Sequence, residues 1–276
     1  MLKRFIKSII NRRQYKKETE EKIADTYLTK LGYSNINDIR PDDYVVVGYP
    51  KSGNTWMQNL LSGILFGIDT SLLPDRLTQI LTPNLHGATH FKRILDFTCF
   101  KSHHMPRGEF RNVIYIVRDG RDAISSYFHM NQADGKKISL EDMIIRGKGI
   151  TSCKWHEHVK AWRENPFKST IIWIRYEDLT KDPLKEMNRI CEFMGIQREN
   201  DTILRSIEGN SFKNMQTKES QFGWDNRKWN KDAKFIRRGE VGSYRKEIPT
   251  ELTQYFEEEA KEELLYLGYA LNYLSK

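Results

Sequence analysis

A loop that could bind phosphate is indicated by two glycines that bracket four residues after a short apolar run. In the stretch GYPKSGNT, Gly48 and Gly53 have the spacing of a Walker A loop, and Thr55 follows two residues later. Asn54 stands where a Walker loop has its lysine, however, and Lys51 lies inside the loop instead. Glycines let backbone N–H groups approach an anion closely, so the stretch predicts an anion site that differs from an ordinary triphosphatase loop.

The residues after a second apolar run also disfavour a magnesium-dependent triphosphatase. Such an enzyme needs an acid at the end of a neighbouring strand to hold the metal. The run Val113–Val117 (VIYIV) ends instead in Arg118, which binds anions and not metals. Asp119 comes next, so a metal site is disfavoured but not excluded. Together the displaced lysine and the arginine predict a nucleotide that carries extra anionic groups and needs no metal.

The composition favours an anionic partner and a reducing compartment. The 276 residues carry a formal net charge of +8, which suits nucleic acid, anionic lipid or a highly charged small molecule, although a scattered excess gives only solubility. The three cysteines are far apart and match neither a zinc pattern nor a disulfide framework. The apolar fraction of 38% suits a buried core, and no apolar run reaches membrane-spanning length.

Short β-branched or aromatic runs alternate with helical patterns along the chain. The runs Tyr44–Val47, Val113–Val117 and Ile171–Arg175 are predicted to be buried parallel strands, and apolar residues at helical spacing follow each of them. This alternation predicts an α/β fold with three layers, in which helices flank a mostly parallel central sheet. Ligands of such sheets bind at the carboxyl ends of the strands, where the glycine loop lies.

The chain is predicted to form a single domain, because no repeat, low-complexity tract or linker divides it. Its expected parts are an N-terminal helical segment at 1–40, a core at 41–248 and a C-terminal helix at 249–276. Residues 1–17 are basic and amphipathic, which fits either a helix packed on its own domain, the interpretation we favour, or weak peripheral contact with a membrane. Their apolar part is too broken for a secretory signal, so we expect a cytoplasmic protein without a transmembrane segment.

Several segments, in order, resemble the cytosolic-type sulfotransferases. GYPKSGNTW is similar to the family's 5′-phosphosulfate loop TYPKSGTTW, from which Gly48 and Asn54 depart. VIYIVRDGRDAISSYFH resembles the 3′-phosphate segment, and FKSHHMP resembles the K-T-H-x-P segment that holds the catalytic histidine. IRYEDL, NSFKNM, FIRRGEVGSY and the helix WHEHVKAW resemble further family segments, with Asn210 in place of a threonine. The matches cover roughly residues 43–244, and their order makes chance implausible.

The resemblance implies an enzyme with the P-loop NTPase-like sulfotransferase fold. Such an enzyme transfers the sulfuryl group of 3′-phosphoadenosine 5′-phosphosulfate (PAPS) in line to a small-molecule acceptor, leaves 3′-phosphoadenosine 5′-phosphate (PAP) and uses no metal. The resemblance places Lys51 at the leaving group and assigns further catalytic roles to Lys101 and Ser126. It also implies a nucleotide site formed by Lys51, Ser52, Gly53, Asn54, Thr55, Trp56, Arg118, Ser126, Tyr176, Ser211, Phe212, Met215, Phe235, Arg237, Arg238 and Gly239.

Two adjacent histidines compete for the role of general base. Lys101–Ser102–His103 aligns directly with K-T-H, so we select His103. The stretch SHHMP is one residue longer before the proline than the family form, so His104 stays an alternative. His158 is expected to pack within its helix, and the histidines without motif support are interpreted as surface or structural residues: His86, His90, His129 and His156.

The acceptor is poorly determined by the sequence. The regions 72–88 and 131–151 are expected to be variable loops at the acceptor pocket, and they contain few aromatic residues. Their polar and acidic groups favour a polar natural product, with a phenol or a lipid alcohol as the alternative, and both oxygen and nitrogen sulfation stay open. Pro249 interrupts the family's dimer motif, so the oligomeric state is left open.

Two other functions fit parts of the sequence. A P-loop nucleotide kinase or triphosphatase would share the glycine loop, but it lacks the Walker lysine and the strand-end acid. A non-enzymatic module that binds nucleic acid or anionic lipid would use the basic charge. We expect a small-molecule acceptor and no nucleic-acid partner.

Overall fold

The computed structural model describes residues 20, 22–223, 230 and 233–272. The basic segment 1–17, for which the sequence predicts a helix, lies outside these residues. The strands are β1 (Tyr33–Asn35), β2 (Tyr44–Val47), β3 (His90–Lys92), β4 (Cys99–Ser102), β5 (Asn112–Val117) and β6 (Thr170–Arg175). The helices with defined bounds are α1 (Asn54–Phe66), α2 (Asp75–Leu81), α3 (Gly120–Ala133), α4 (Leu140–Arg146), α5 (Trp155–Glu164), α6 (Tyr176–Lys181), α7 (Pro183–Phe193), α8 (Asn200–Gly209), α9 (Phe212–Phe222), α10 (Tyr244–Glu247), α11 (Thr250–Glu259) and α12 (Lys261–Tyr266).

A four-stranded parallel sheet lies at the centre of the described structure. Its strand order is β4-β2-β5-β6, and all three pairings are parallel. Strands β1 and β3 form a separate antiparallel pair. The three strands predicted from apolar runs are present within one residue of their predicted bounds. The structure therefore confirms the α/β fold with a parallel central sheet.

Alternate side chains of the central strands enter two different hydrophobic cores. On β2, Val45 and Val47 pack in a core that also holds Trp155 and Phe256, from helices α5 and α11. Val46 points to the opposite face, into a core formed with helices α1, α7 and α8. Burial on both faces explains why these strands are unbroken apolar runs in the sequence, and it gives the three layers of the fold.

Strand β4 was not predicted, and it is the element that brings two sequence motifs together. The strand is short and contains Lys101, so its sequence, CFKS, lacks the apolar run typical of a buried strand. It pairs in parallel with β2, with Lys101 opposite Val46 and Ser102 opposite Val47. Both strands end at the same edge of the sheet, so the residues after Ser102 lie beside the glycine loop after Val47.

The two ends of the described chain differ in part from their predicted form. Residues 22–30 are helical, but the predicted N-terminal helical segment also contains β1. The single C-terminal helix predicted after Pro249 is two helices, α11 and α12, which meet at Ala260. None of the helices in the described part of the chain combines the length and the apolar character that a membrane span requires.

The contact between α3 and the core provides a test of the packing. A Cβ atom added at Gly120 would lie 2.5 Å from Cδ2 of Trp155 and 2.6 Å from Cζ of Phe256. Gly120→Ala should therefore lower the free energy of unfolding by about 1–3 kcal/mol through overpacking, measured by urea denaturation. Gly108→Ala is the matched control, because the nearest atom to its Cβ, on Phe167, is 3.6 Å away. Equal urea midpoints for the two variants would contradict this packing.

Candidate active site

The glycine loop connects β2 to α1 at the carboxyl edge of the sheet. Two of its residues have left-handed backbone conformations, Lys51 with φ 70° and Gly53 with φ 104°. A Cβ atom at Gly53 would lie 2.8 Å from the ring of Tyr176, so the site requires glycine for space as well as for conformation. The first turn of α1 follows directly, and its free N–H groups and dipole favour an anion at this edge.

The two departures from the family's loop sequence are in contact with each other. A Cβ atom at Gly48 would lie 2.5 Å from the carbonyl oxygen of Ile116 and 2.7 Å from Oδ1 of Asn54. The Asn54 amide is held there because its Nδ2 donates a hydrogen bond of 3.0 Å to the carbonyl of Tyr49. The asparagine thus occupies space that a larger residue at position 48 would need, so we expect substitutions at the two positions to be energetically coupled.

Buried polar atoms around the loop have no partner within the described residues. They include Oγ of Ser52, Oδ1 of Asn54 and Nε of Arg118. An unpaired buried polar group is unfavourable by about 1–3 kcal/mol, so a ligand or water that supplied the missing bonds would be stabilised here. The donors at Ser52 and Arg118 fit a ligand with several anionic oxygens.

The loop opens into a cavity of about 700 Å³. Of the sequence-predicted site residues, only Ser52 is absent from its wall, because this side chain is fully buried in the loop. The predicted residues that line the cavity are Lys51, Gly53, Asn54, Thr55, Trp56, Lys101, His103, Arg118, Ser126, Tyr176, Ser211, Phe212, Met215, Phe235, Arg237, Arg238 and Gly239. The structure thus brings together, in one cavity, residues that are far apart in sequence.

The lysine of the loop lies beside an aromatic ring and other cations. Nζ of Lys51 is 3.3 Å from the centroid of the Phe235 ring. Desolvation of the ammonium group, together with the charge of Arg118, lowers the pKa of Lys51 to about 7. An anion that binds next to this group would raise its pKa, and the group would then gain a proton.

The histidine selected as base is fixed by a hydrogen bond to the glycine loop. Nδ1 of His103 lies 2.7 Å from the carbonyl oxygen of Gly48. A carbonyl only accepts, so Nδ1 carries the proton and Nε2 is the basic nitrogen. Burial, with the charge of nearby Lys101, holds the pKa of His103 well below its ordinary value, so the ring is neutral at neutral pH. Burial also lowers the pKa of Lys101 to about 8.

The other histidine candidate, His104, does not line the cavity. The main-chain N–H of His104 donates to Oγ of Ser102, and its carbonyl accepts from Nε1 of Trp162 at 3.1 Å. His158 is buried in helix α5: its Nδ1 accepts from the hydroxyl of Tyr115 at 2.7 Å, and its Nε2 donates to the carbonyl of His103 at 3.3 Å. In addition to its predicted packing role, His158 therefore supports the main chain of His103.

His86 was interpreted as a surface or structural residue, and the structure places it at the active-site cavity. It is exposed and lines the cavity with His103. No family motif includes His86. The bridge that joins Asn84 to Lys101 positions it, and no local pattern in the sequence reveals that pairing.

The predicted 3′-phosphate clamp contains an acid that the sequence did not reveal. Both terminal nitrogens of Arg237 bind Glu247, at 2.5 and 2.8 Å, and Nη1 of Arg238 lies 2.9 Å from the same carboxylate. Oγ of Ser125 also donates to it. Burial opposes ionisation of Glu247, but the bonds from Arg237 and Ser125 outweigh it and lower the pKa to about 2. The carboxylate of Glu247 thus balances the positive charge of Arg237 and Arg238.

Two acidic side chains hold the clamp segment to the rest of the site. Glu219 on α9 accepts hydrogen bonds from the main-chain N–H groups of Phe235 and Ile236. Asp122 on α3 accepts from the N–H groups of Gly242 and Tyr244 at 2.6 and 2.9 Å. Hydrogen bonds to two helices, α9 and α3, therefore hold the segment that carries Arg237 and Arg238.

The residues expected at the adenine form one wall of the cavity. Nε1 of Trp56 donates to the carbonyl of Asn210 at 2.9 Å, and its ring meets that of Tyr176 edge to face at 5.7 Å. The guanidinium of Arg118 lies 4.6 Å from the centroid of the Tyr176 ring. Phe212 packs against Gly239 and is 41% exposed, so it is not an ordinary core residue.

The predicted acceptor loops contribute less to the cavity than expected. Of residues 72–88 only His86 lines it, and of 131–151 only Thr151 does. Both regions contain helices, α2 and α4, that were expected to be loop. Tyr127 and Met130 on α3 line the cavity instead.

A parallel sheet with a glycine loop at its carboxyl edge, next to a cavity lined by several basic side chains, is typical of P-loop-like nucleotide-binding proteins. The family model described as the sulfotransferase domain matches residues 41–267, and the chain belongs to this family. The protein is therefore a sulfotransferase, an enzyme that transfers a sulfuryl group and whose family uses PAPS. This confirms the resemblance seen in the sequence motifs.

The chain is similar to several characterised sulfotransferases. Cytosolic sulfotransferase 1 of Danio rerio is 25% identical over 257 residues, which cover 82% of this chain and 83% of the relative. Human sulfotransferase 1C2 is 24% identical over 245 residues, or 80% of this chain and 82% of the relative. A solved structure of retinol dehydratase with androsterone and the inactive cofactor PAP has a TM-score of 0.65 at 22% identity, over 84% of this chain and 83% of that chain. This likeness confirms the fold.

The contact between Gly48 and Asn54 predicts energetic coupling. Gly48→Ala should destabilise the protein, because the added Cβ meets Asn54, and the effect should be smaller in an Asn54→Ala background. Residues in contact typically show coupling of about 0.5–3 kcal/mol, which a double-mutant cycle on urea unfolding measures. Strict additivity of the two substitutions would contradict the coupling.

The lowered pKa of Lys51 predicts proton uptake on nucleotide binding. An anion beside the ammonium group raises its pKa, so PAP binding at pH 8 should take up a proton that the free protein lacks. At pH 5.5 Lys51 is already protonated in the free protein. The proton uptake by Lys51 on PAP binding should therefore disappear at this pH. Calorimetry in buffers of different ionisation enthalpy measures the exchange. Lys51→Met is the control, and unchanged uptake at pH 8 in that variant would contradict the assignment.

Proposed function

We propose that this sulfotransferase transfers the sulfuryl group of PAPS to a hydroxyl of a small molecule, with an amine or amide nitrogen as the alternative acceptor atom. The observation that supports this most strongly is the hydrogen bond between His103 and Gly48. It fixes a neutral histidine, with Nε2 unprotonated, next to the loop that holds Lys51. A base and a cation for the leaving group are therefore held to each other by the protein itself.

The chain supplies the groups that a PAPS site needs. When bound, PAPS supplies an activated sulfuryl group whose leaving group is the 5′-phosphate of PAP. In our proposal the loop N–H groups, Ser52 and Thr55 bind the 5′ end, and Lys51 balances the charge that develops there. In the proposed mechanism, the positive charges of Lys51 and Lys101 stabilise the negative charge that develops on the leaving group, and no metal is used.

The remaining predicted residues orient the nucleotide and are proposed to act before the chemical step. Arg118, Ser126, Arg237 and Arg238 bind the 3′-phosphate, and each arginine offers a planar fork that phosphate accepts bidentately. Trp56, Tyr176 and Phe212 contact the adenine, with Ser211, Met215 and Phe235 completing the wall. Glu247 is displaced in part from its arginine partners when the phosphate binds.

His103 removes the proton of the acceptor hydroxyl in this mechanism. A general base is most useful when it is unprotonated at the working pH, and the depressed pKa of His103 provides this condition. Lys101 lies on the strand that ends beside His103, where its ammonium group steadies the sulfuryl oxygens. Ser126 on α3 completes the catalytic set.

The acceptor is proposed to be a hydroxylated ring compound. The cavity near His103 is lined by Tyr127, Met130, Thr151 and His86, a mixture of apolar and polar groups. Phenols and lipid alcohols fit this wall as well as the polar natural product that the sequence favoured. The solved retinol dehydratase structures contain androsterone and retinol, and these lipid alcohols support a hydroxylated acceptor for this chain.

Cytoplasmic localisation and the absence of a nucleic-acid partner are also part of the proposal. Relatives such as the zebrafish protein carry the name cytosolic sulfotransferase. A kinase has less support, because Asp119, the remaining candidate for a magnesium ligand, is paired with Arg121 through both carboxylate oxygens at 2.9 and 2.6 Å.

Two histidine substitutions test the assignment of the base. His103→Ala should lower kcat/KM by about 10²–10⁴-fold, the usual contribution of general base catalysis, whereas His104→Ala should change it little. Transfer from labelled PAPS to a panel of phenols, steroid alcohols and hydroxylated amines, read by mass spectrometry, measures the rates. The acidic limb of the wild-type pH profile should lie below pH 6.5, since the pKa of His103 is lowered from that value.

PAP affinity is the control for these variants, because neither histidine belongs to the nucleotide set. Equal PAP affinity in all three proteins shows that the loop is intact. A larger loss in His104→Ala than in His103→Ala would contradict the assignment of the base.

A further inference from the structure

An acidic side chain shares the arginines of the proposed 3′-phosphate site. Glu247 is the last residue of α10, and its carboxylate accepts hydrogen bonds from both terminal nitrogens of Arg237, at 2.5 and 2.8 Å. Nη1 of Arg238 lies 2.9 Å from the same carboxylate. Carboxylates and phosphates bind the same planar fork of N–H groups on an arginine. The acid and a bound 3′-phosphate would therefore compete for the same donors.

The carboxylate does not lie in the wall of the cavity. Arg237 and Arg238 line the cavity, whereas Glu247 does not. Glu247 would thus compete for the donors of the arginines and not for the space that a ligand fills. It also places a negative charge next to the two cations, which opposes the binding of a second anion to them.

The position of Glu247 does not depend on the arginines alone. The hydroxyl of Ser125 on α3 donates to the carboxylate, and Nε2 of the partly exposed His129 lies 3.5 Å from it. The main-chain N–H of Tyr244, at the start of α10, donates to Asp122 of α3 at 2.9 Å. Helix α3 therefore holds both α10 and the carboxylate, so the acid would stay beside the arginines while a ligand binds and leaves.

The exposure of the side chains shows which partner needs this contact. The side chain of Glu247 is 9% exposed, while those of Arg237 and Arg238 are 26% and 45% exposed. Arginines that are partly solvated stay charged without an acid, but a buried carboxylate is unfavourable unless it is paired. Although burial raises the pKa of Glu247, the bonds from Arg237 and Ser125 lower it to about 2, so this side chain is an anion at neutral pH.

We propose that Glu247 is an internal competitor of the 3′-phosphate of the nucleotide, and that it weakens the binding of PAP and accelerates its release. As the phosphate leaves Arg237 and Arg238, the carboxylate replaces it as their partner. The competition holds the affinity for PAP below the value that Arg118, Arg237 and Arg238 would otherwise give. This inference rests on the proposed PAPS site.

Glu247→Gln tests the competition, because glutamine keeps the size of the side chain and can still accept from Arg237 but carries no charge. In calorimetry without metal, this variant should bind PAP about tenfold more tightly than the wild type, since the phosphate no longer competes with a charged partner. AMP lacks the 3′-phosphate, so its affinity should change by less than about twofold. The ratio of the PAP and AMP affinities should therefore rise at least about fivefold.

The rate of PAP release provides a second readout. Stopped-flow tryptophan fluorescence can follow the dissociation of PAP, because Trp56 lines the cavity. The dissociation rate should fall about tenfold in Glu247→Gln, since affinity differences between related complexes lie mostly in dissociation. A side chain that only stabilised the fold would not accelerate release in this way.

Two further variants complete the comparison. Glu247→Asp keeps the charge but shortens the side chain by one methylene, so its PAP affinity should lie between those of the wild type and Glu247→Gln. Glu262→Gln is the matched control, because it removes the same charge from a contact with Arg163, and neither of these residues lines the cavity. Its PAP affinity should equal that of the wild type within about twofold.

Three results would overturn the competition. They are unchanged or weaker PAP binding by Glu247→Gln, an equal gain in affinity for PAP and AMP, and an equal gain in PAP affinity in Glu262→Gln. Weaker binding by Glu247→Gln would indicate instead that the acid positions the arginines. A wild type that binds PAP no more tightly than AMP would contradict the proposed 3′-phosphate site itself.

Discussion

The hydrogen bond from Nδ1 of His103 to the carbonyl of Gly48 joins the two halves of the site. Gly48 is the first residue of the anion loop, and His103 follows the strand that pairs with the strand before that loop. The parallel register, with Ser102 opposite Val47, brings these residues to the same height at the edge of the sheet. A shift of one residue would turn Lys101 and the adjacent residues to the other face. The sheet register is therefore the constraint on which the proposed catalytic geometry depends.

The concentration of positive charge in the cavity needs to be balanced when no ligand is bound. Desolvation and neighbouring cations depress the pKa of Lys51, while Glu247 neutralises the arginine pair of the proposed clamp. Both arrangements reduce the repulsion among like charges in the free protein. In the proposed function, nucleotide binding therefore exchanges these internal partners for phosphate oxygens. The same residues that stabilise the free protein thus set the affinity and the pH dependence expected of the nucleotide.

The sequence predicted the elements with strong local signals. Apolar runs marked three of the four central strands, and family motifs marked the loop, the arginines and His103. It did not predict β4, because a four-residue strand with a lysine has no apolar run, although this strand aligns His103 with the loop. Glu247 and His86 were also missed, since each acts through a contact between distant segments. Residues that belong to family motifs were thus easier to recognise than the residues that position them or balance their charge.

The most direct test of this account is calorimetry of PAP, AMP and ATP with the metal-free protein, repeated for ATP with magnesium. If Arg118, Arg237 and Arg238 form a 3′-phosphate clamp, PAP should bind without metal at least about a hundredfold more tightly than AMP, since hydrogen bonds to a charged group contribute about 1.5–3 kcal/mol each. ATP should bind weakly, with or without magnesium. Equal affinity for PAP and AMP, or tight binding only of magnesium ATP, would contradict the proposed site.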